Sequence, residues 1–332
     1  MKEPFVDLLK GSLQNFLNAF TYPDRTCYPL ATTNTKDFYN LINVYLDAVL
    51  HPRAVHDRQV FEQEGWHYEL EDKTSPLSVK GVVYNEMKGV YSSPDSLVSR
   101  ATQQALFPDN TYGVDSGGDP QEIVQLTFED FQAFHRDFYH PSNARILMYG
   151  DDDLLTRLEL LDDYLKDFSR REVNSKVTFQ QKRQAPLDKV TVPFPLSEGA
   201  EPKHIFTVNW LLHDQYLSVE EGLRLGMLDF LLWGTNTSPL RKALIDSHLG
   251  ESVTGGGLND ELLQATFSVG LKGVQSKDVG QIEGVIMRKL QELADQGFDW
   301  GDIDAALNTI EFRLRKYLCI FFILLFIVYV CA

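Results

Sequence analysis

The chain has 332 residues, enough for two domains, and its 43% hydrophobic and 23% charged residues are typical of a soluble globular protein. The net charge of −16 argues against a nucleic-acid partner, because the phosphates would be repelled. Two of the three cysteines lie in a hydrophobic carboxyl-terminal run, which leaves Cys27 alone in the globular part. This excludes a disulfide framework and favours a reducing compartment.

The first half of the chain predicts strands and helices in irregular alternation. A β-type stretch covers residues 19–28, and apolar residues at helical spacing predict a helix over 37–50, capped by Asn34 or Thr35. Thr127 with Asp130 forms a capping pattern that begins a helix over 127–138. A strand in 141–149 and a helix over 151–168 complete this half, and residues 79–92 are also predicted to be helical.

The second half follows a polar, proline-bearing segment, residues 176–200, which we interpret as a linker. Strands are predicted at 204–212 and 264–273, and helices at 218–233, 238–246, 279–295 and 302–315. Glycines 255–257 match no phosphate-binding pattern and are interpreted as a turn. The predicted fold class is α+β, with a first domain over 1–175 and a second over 201–316.

Residues 317–332 form an uncharged run that differs abruptly from the amphipathic helix before it. We interpret it as an aberrant hydrophobic tail. A membrane anchor is one explanation, although sixteen residues fall short of the about 20 that span a bilayer. Translated intron is the other, since these residue types have U-rich codons and residues 315–317 can be encoded with a splice-donor sequence. The amino end lacks the character of a signal or transit peptide.

Glu86, in the stretch KGVVYNEMKGV, is the residue that a zinc site would use, but it lacks partners. The eight histidines form neither H-E-x-x-H nor H-x-x-E-H. A catalytic zinc needs three protein ligands and an open position for water. Glu86 is therefore either a solvated helix glutamate or one ligand of a site whose other ligands lie outside this chain.

Five stretches of this chain, in order, resemble the presequence proteases, the M16-type inverted-zincin peptidases of mitochondria and chloroplasts. They are NAFT at 18–21, QEGW at 63–66, GVVYNEMKG at 81–89, SGGDP at 116–120 and YHPSNA at 139–144. The resemblance implies M16-type domains, each an antiparallel-rich sheet packed with helices. It also implies a zinc held by the two histidines of H-x-x-E-H and by Glu86. In the family that motif precedes the stretch matched by residues 2–5, so the first domain is expected to lack the start of its zinc helix, and no catalytic residue is expected in this chain.

The resemblance also implies substrate-binding residues: Asn18, Ala19, Phe20 and Thr21 would form an edge strand that aligns an extended peptide by β-augmentation. Without the resemblance, the same residues would be interpreted as a half-buried strand beside a turn. Phe20 could then equally be a core aromatic or line a substrate pocket. Glu64 could orient a zinc ligand by hydrogen bonding to it. The acidic cluster of Glu62, Glu64 and Glu69, however, is more commonly a solvated helix face.

The function implied by resemblance is a zinc metalloendopeptidase that degrades targeting presequences and other short unstructured peptides in the mitochondrial matrix or chloroplast stroma. This chain is expected to be inactive alone, because it lacks two zinc histidines, the general-base glutamate and the carboxyl-terminal half of the family architecture. The alternatives are an inactive peptide-binding or non-functional truncated product, and a tail-anchored membrane protein, which the short apolar run disfavours.

Overall fold

The computed structural model describes residues 10–181, 189–196, 199, 201–316 and 324–331. Its strands, β1 to β10, are Gln14–Leu17, Phe20–Thr21, Arg25–Thr32, His67–Glu69, Ser78–Lys80, Ala144–Tyr149, His204–Leu211, Ser252–Asn259, Thr266–Val274 and Leu324–Cys331. Its α-helices, α1 to α11, are Thr35–Leu50, Arg58–Glu64, Val82–Val90, Pro94–Leu106, Pro120–Ile123, Phe128–Phe138, Leu154–Leu165, Val219–Trp233, Pro239–Asp246, Val279–Gln296 and Trp300–Lys316. Single 3-10 turns lie at Arg53–Val55, Thr111–Gly113 and Pro141–Asn143.

The chain divides into two compact units. The first consists of Met1–Tyr91, Val114–Lys176 and Ile320–Ala332, and the second of Ser92–Gly113 and Val177–Cys319. The sequence-based division assigned residues 92–113 to the first domain and separated 317–332 from both. The structure differs because helix α4, at Pro94–Leu106, packs on strand β7 of the second unit, and β10 pairs within the first.

The first unit is built on an antiparallel sheet in the order β1-β3-β10-β6, with β2 pairing on β3 as well. Helix α1 covers the sheet because its apolar side chains recur at helical spacing, and Asn34 caps it by accepting the amide of Asp37 at 3.0 Å. The resulting core holds buried side chains from α1, β3 and β10: Leu30, Phe38, Leu41, Ile42, Tyr45, Leu46, Val49, Leu50, Phe326, Val328 and Val330.

A two-stranded hairpin, β4 with β5, and helices α2, α3, α5, α6 and α7 complete the first unit. Helix α6 begins with the predicted capping box, in which Thr127 accepts the amide of Asp130 at 3.1 Å and Asp130 accepts the amide of Thr127 at 3.0 Å. That prediction is confirmed. The predicted helix over 79–92 is shorter than expected, because residues 78–80 form strand β5 and Gly81 separates the two elements.

The second unit has an antiparallel sheet in the order β7-β9-β8, packed against α8, α9 and α10. Its core includes Trp233, Leu240, Leu271 and Ile282. The described start of the predicted linker is bound to this unit. Gln180, 2% exposed, donates its backbone N–H to the side-chain Oε1 of buried Gln264 at 2.5 Å.

Two predicted features differ from the structure in their local conformation. The interpretation of glycines 255–257 as a turn is wrong: they lie inside β8, where the register shifts between Thr254 and Gly257. Gly255 and Gly257 have φ of 84° and 71°, so these glycines form a β-bulge rather than end the strand. The described part of the hydrophobic tail is strand β10. Whether its codons are intronic stays a prediction, and none of the helices in the described ranges has the length and apolarity that crossing a bilayer requires.

Candidate functional site

The segment from β1 to β2 lies along one edge of β3. Phe16 and Leu17 pair with Ala31 and Leu30 of β3, and beyond a two-residue interruption β2 pairs through Phe20↔Cys27 and Thr21↔Thr26. No described strand pairs with the outer side of this segment. Residues 18–21 are exposed, so their position is that of an accessible sheet edge, the geometry that β-augmentation requires.

Buried groups hold the middle of this edge from the inner side. The Asn18 amide donates to the carbonyl oxygen of Pro29 at 3.2 Å, and the hydroxyl of Tyr45 donates to the carbonyl oxygen of Asn18. Tyr45 is 3% exposed, and burial raises its pKa to about 12, so it stays a protonated donor at neutral pH. The Ala19 amide donates to the Asn18 side-chain oxygen at 2.8 Å. A peptide that pairs with the Ala19 amide must therefore displace the Asn18 side chain.

Phe20 belongs to an exposed aromatic cluster and not to the core. It is 39% exposed, its ring centroid lies 6.2 Å from that of Phe16 in a stacked arrangement, and it meets Tyr22 edge-on at 6.5 Å. The Arg25 guanidinium lies 4.3 Å from the centroid of the Tyr22 ring. The core alternative for Phe20 is therefore wrong, and the cluster offers aromatic surface directly beside the sheet edge.

Glu86 lies on α3, which starts at a close contact between two backbone segments. Gly81, the N-cap of α3, has φ of 148°, and a Cβ there would overlap the Gly65 carbonyl and lie 2.7 Å from the Cα of Trp66. The amide of Tyr84 donates to the Gly65 carbonyl oxygen at 3.3 Å. Only glycine fits position 81, so the QEGW and GVVYNEMKG stretches meet here and fix the start of the helix.

A glycine-rich loop supports α3 through Met87. Met87 is the one buried side chain of this helix, and its sulfur lies 2.7 Å from where a Cβ on Gly117 would be. Gly118, with φ of 95°, makes room in the same way for the side chain of Ile123. Asp119 then caps α5 by accepting the amide of Gln121 at 2.8 Å. The SGGDP stretch is thus packed against the stretch that carries Glu86.

The carboxylates singled out from the sequence are both solvent-facing. Glu86 is exposed on α3, and its carboxylate makes no hydrogen bond or ion pair with the described residues. Glu64, the last residue of α2, is also exposed and accepts from Gln63 at 3.1 Å. Helix α2 contacts α3, so both carboxylates sit on adjoining elements of the first unit.

The side chains in the described ranges do not make a zinc site by themselves. No group of three or more histidine, cysteine, aspartate or glutamate side chains in those ranges is arranged to hold a metal ion. His67, the histidine close to Glu64 in sequence, has its Nδ1 2.7 Å from the carbonyl oxygen of Glu62. A catalytic zinc needs three protein ligands, so the side chains in the described ranges do not fit one.

The histidines flanking the end of α6 have structural roles. His135 Nε2 lies 3.0 Å from the carbonyl oxygen of Val49, its ring stacks on Tyr139 at 4.7 Å, and burial lowers its pKa. His140 caps the following 3-10 turn by accepting the Ser142 amide at 3.1 Å, and burial also lowers its pKa. His135 is therefore a packing residue and His140 a capping residue.

Sequence reasoning did not find the groups that position these residues. The helical spacing over 37–50 places Tyr45 on the apolar face of α1 but does not predict that its hydroxyl donates to Asn18. The contacts of Gly65 with Gly81 and of Gly117 with Met87 join segments distant in sequence. The glycines in the stretches QEGW, GVVYNEMKG and SGGDP could have indicated these contacts, since glycine often marks a place where two backbone segments approach closely.

Comparison with known proteins agrees with this architecture. A family model described as Peptidase M16 inactive domain matches residues 125–310, more than half of the chain. Presequence protease 1, chloroplastic/mitochondrial, of Arabidopsis thaliana is 56% identical over 95% of this chain and 30% of its own length. Presequence protease, mitochondrial, of Xenopus laevis is 38% identical over 95% of this chain and 31% of its own length.

A solved structure, that of a protease from Helicobacter pylori, aligns with a TM-score of 0.65 at 15% identity, covering 94% of this chain and 70% of that one. At this identity the likeness concerns the fold alone, and it confirms the predicted α+β architecture of M16-type domains. The chain spans about a third of the length of the curated relatives it matches. The expected resemblance is confirmed: the chain belongs to the M16 peptidase family.

Proposed function

We propose that this chain is the peptide-aligning part of a zinc-dependent M16 metalloendopeptidase that degrades targeting presequences and short unstructured peptides, and that alone it binds such peptides without hydrolysing them. The observation that carries the proposal is the exposed outer edge formed by β1 and β2. An extended peptide would add to this edge as a further strand, with main-chain hydrogen bonds for affinity.

The side chains around the edge support peptides that carry apolar residues. Phe16 and Phe20 expose stacked rings at the edge, and they would pack against an aliphatic or aromatic side chain of the bound peptide. The net charge of −16 favours basic peptides, since opposite long-range charge speeds encounter. A presequence combines these two properties: it is basic and amphipathic.

The proposed lack of hydrolysis follows from the number of zinc ligands that this chain would contribute. Glu86 is the ligand that this chain would contribute to zinc, and it is held on a helix whose start and buried face are fixed by Gly81 and Met87. The two remaining ligands and the general base would come from residues outside these 332. The carboxyl-terminal half of the family architecture would be the other partner.

The site of action is proposed from the relatives. Their names place them in mitochondria, or in chloroplasts and mitochondria. We propose the mitochondrial matrix or the chloroplast stroma for the protein that contains this chain, which agrees with the absence of a disulfide framework.

A peptide with methylated backbone amides tests the edge-strand mode directly. Successive N–H groups of a strand point to opposite edges, so methylating every second amide blocks one edge only. A fluorescein-labelled basic presequence peptide is titrated with the full chain, together with its two alternately N-methylated forms. We expect binding of the parent peptide and of one methylated form, and loss of binding for the other.

Equal binding of both methylated forms would contradict pairing at a sheet edge, and no binding of the parent peptide would favour the alternative of a non-functional product.

Mass spectrometry of the same mixtures tests whether the chain alone leaves the bound peptide unhydrolysed. The peptide is expected to stay intact with added zinc, whereas cleavage that 1,10-phenanthroline stops would overturn the lack of hydrolysis.

A further inference from the structure

Strand β10 occupies an interior position in the first unit although it follows the whole second unit in the chain. It pairs with β3 along its full length, from Leu324↔Thr32 to Cys331↔Arg25, and with β6 from Leu325↔Tyr149 to Val330↔Ala144. Neighbouring strands lie about 4.8 Å apart, so β3 and β6, on either side of β10, are about 10 Å from each other. The sheet therefore contains a gap that is one strand wide and that β10 alone closes.

The gap selects its occupant by side chain as well as by backbone. Phe326, Val328 and Val330, which face one side of the sheet, are 0%, 1% and 0% exposed and belong to the core formed with α1. The alternate residues, such as Tyr329, are half-buried on the other side. An occupant must therefore be apolar at every second position, and free of proline because both of its edges donate and accept hydrogen bonds.

A buried polar side chain marks the end of the gap. Asn143 is 7% exposed and donates through Nδ2 to the Phe138 carbonyl, at 2.9 Å, and to the Cys331 carbonyl. Its Oδ1 accepts the hydroxyl of Ser175 at 2.6 Å. The Cys331 carbonyl accepts the second N–H of this amide, so a strand that ends there completes the hydrogen bonding of Asn143, which marks where an occupant stops.

We propose that the gap between β3 and β6 is a strand-acceptor site, which binds one apolar, proline-free extended segment of eight residues, and that its occupant is Leu324–Cys331 of the same chain. This goes beyond peptide binding at the β1–β2 edge, because the acceptor has two hydrogen-bonding edges and a buried face. Seven residues, 317–323, join α11 to β10, and so short a tether gives the chain's own segment a high effective concentration over that of a second copy.

A register-specific cross-link tests both the site and its occupant. Tyr329 lies opposite Cys27, and paired residues of an antiparallel ladder have Cα atoms about 4.5–5.5 Å apart, within the range of a disulfide. In a full chain carrying Cys319→Ser and Cys331→Ser, the change Tyr329→Cys is expected to give an intramolecular disulfide with Cys27 under mild oxidation. The matched control Val328→Cys, whose side chain faces the other side, is expected to give none.

Non-reducing gels and peptide mapping at low protein concentration read the result. A cross-link between two chains would overturn the assignment of the chain's own segment as occupant. Equal or absent cross-linking at 328 and 329 would overturn the proposed site.

A second measurement does not depend on the native strand. Full chain with Val328→Pro is mixed with a synthetic peptide of residues 324–331 carrying a biotinylated lysine tag.

The proline variant is expected to capture this peptide, while native chain, whose site is filled, is expected to capture at least tenfold less. A peptide with proline in place of Val328 is the matched control and is expected to bind neither chain. Failure of the variant to capture the native peptide, or equal capture of the proline peptide, would overturn the acceptor site.

Discussion

Replacing Gly81 by alanine is expected to destabilise the first unit strongly, because α3 starts where two backbones touch. A Cβ at this position would lie 2.7 Å from the carbonyl carbon of Gly65 and from the Cα of Trp66, whereas carbon atoms in contact are about 3.5–4.0 Å apart. The two backbone segments would have to separate by about 1 Å, which weakens the hydrogen bond from Tyr84 to Gly65.

The cost follows from two terms. A φ of 148° with ψ of 149° is a glycine conformation, and an alanine held there costs about 1–3 kcal/mol. Overpacking against a fixed backbone costs about 1–3 kcal/mol more. The sum is a loss of about 2–6 kcal/mol in the free energy of unfolding of the first unit.

Gly89, on the same helix, is the matched control. A Cβ there meets nothing within 4 Å, so Gly89→Ala is expected to stabilise the helix by about 0.5–1 kcal/mol through helix propensity alone. Hydrogen exchange read by mass spectrometry along a urea titration gives the unfolding midpoint of each unit separately. Changes of the same sign for the two variants, or a loss below about 1 kcal/mol for Gly81→Ala, would refute the close-approach argument.

Three other expectations concern the core of the first unit. Asp152→Ala is expected to cost about 3–5 kcal/mol, because it leaves the 8%-exposed Arg157 without its carboxylate partner; urea denaturation measures this, and a cost below about 1 kcal/mol would contradict it. Phe326→Ala is expected to cost about 3–5 kcal/mol and Leu325→Ala clearly less, since Phe326 is fully buried and Leu325 only partly; equal costs would argue against the observed facing of β10. Burial lowers the pKa of His135 in the folded state, so the unfolded state takes up the proton first, and stability should fall as the pH drops below about 6.5; a His135→Gln variant should lose part of this dependence.

Elements with a strong local signal were predictable from the sequence. The capping box of α6 and the helical spacing in α1 depend on residues three or four apart, and both are observed. The resembling stretches likewise located Glu86 and residues 18–21, and the structure puts the first on an exposed helix and the second on an exposed edge.

Features that depend on distant partners were not predictable. The glycines of β8 look like a turn, because their strand conformation depends on a bulge between the pairs Thr254↔Gly270 and Gly257↔Ser268. Strand β10 has the apolar content of an anchor, and only its pairing with β3 and β6 makes it a sheet strand. The hydroxyl of Tyr45 on Asn18 is a contact across 27 residues that no period reveals.

Hydrogen exchange at residues 14–21 in the presence of a presequence peptide tests the central claim most directly. We predict that a saturating unlabelled peptide slows amide exchange in this segment, leaves the exchange of β8 unchanged, and is recovered intact by mass spectrometry. Peptide binding without added protection at residues 14–21, or recovery of a cleaved peptide, would contradict the claim that this chain aligns peptides at its β1–β2 edge and does not hydrolyse them.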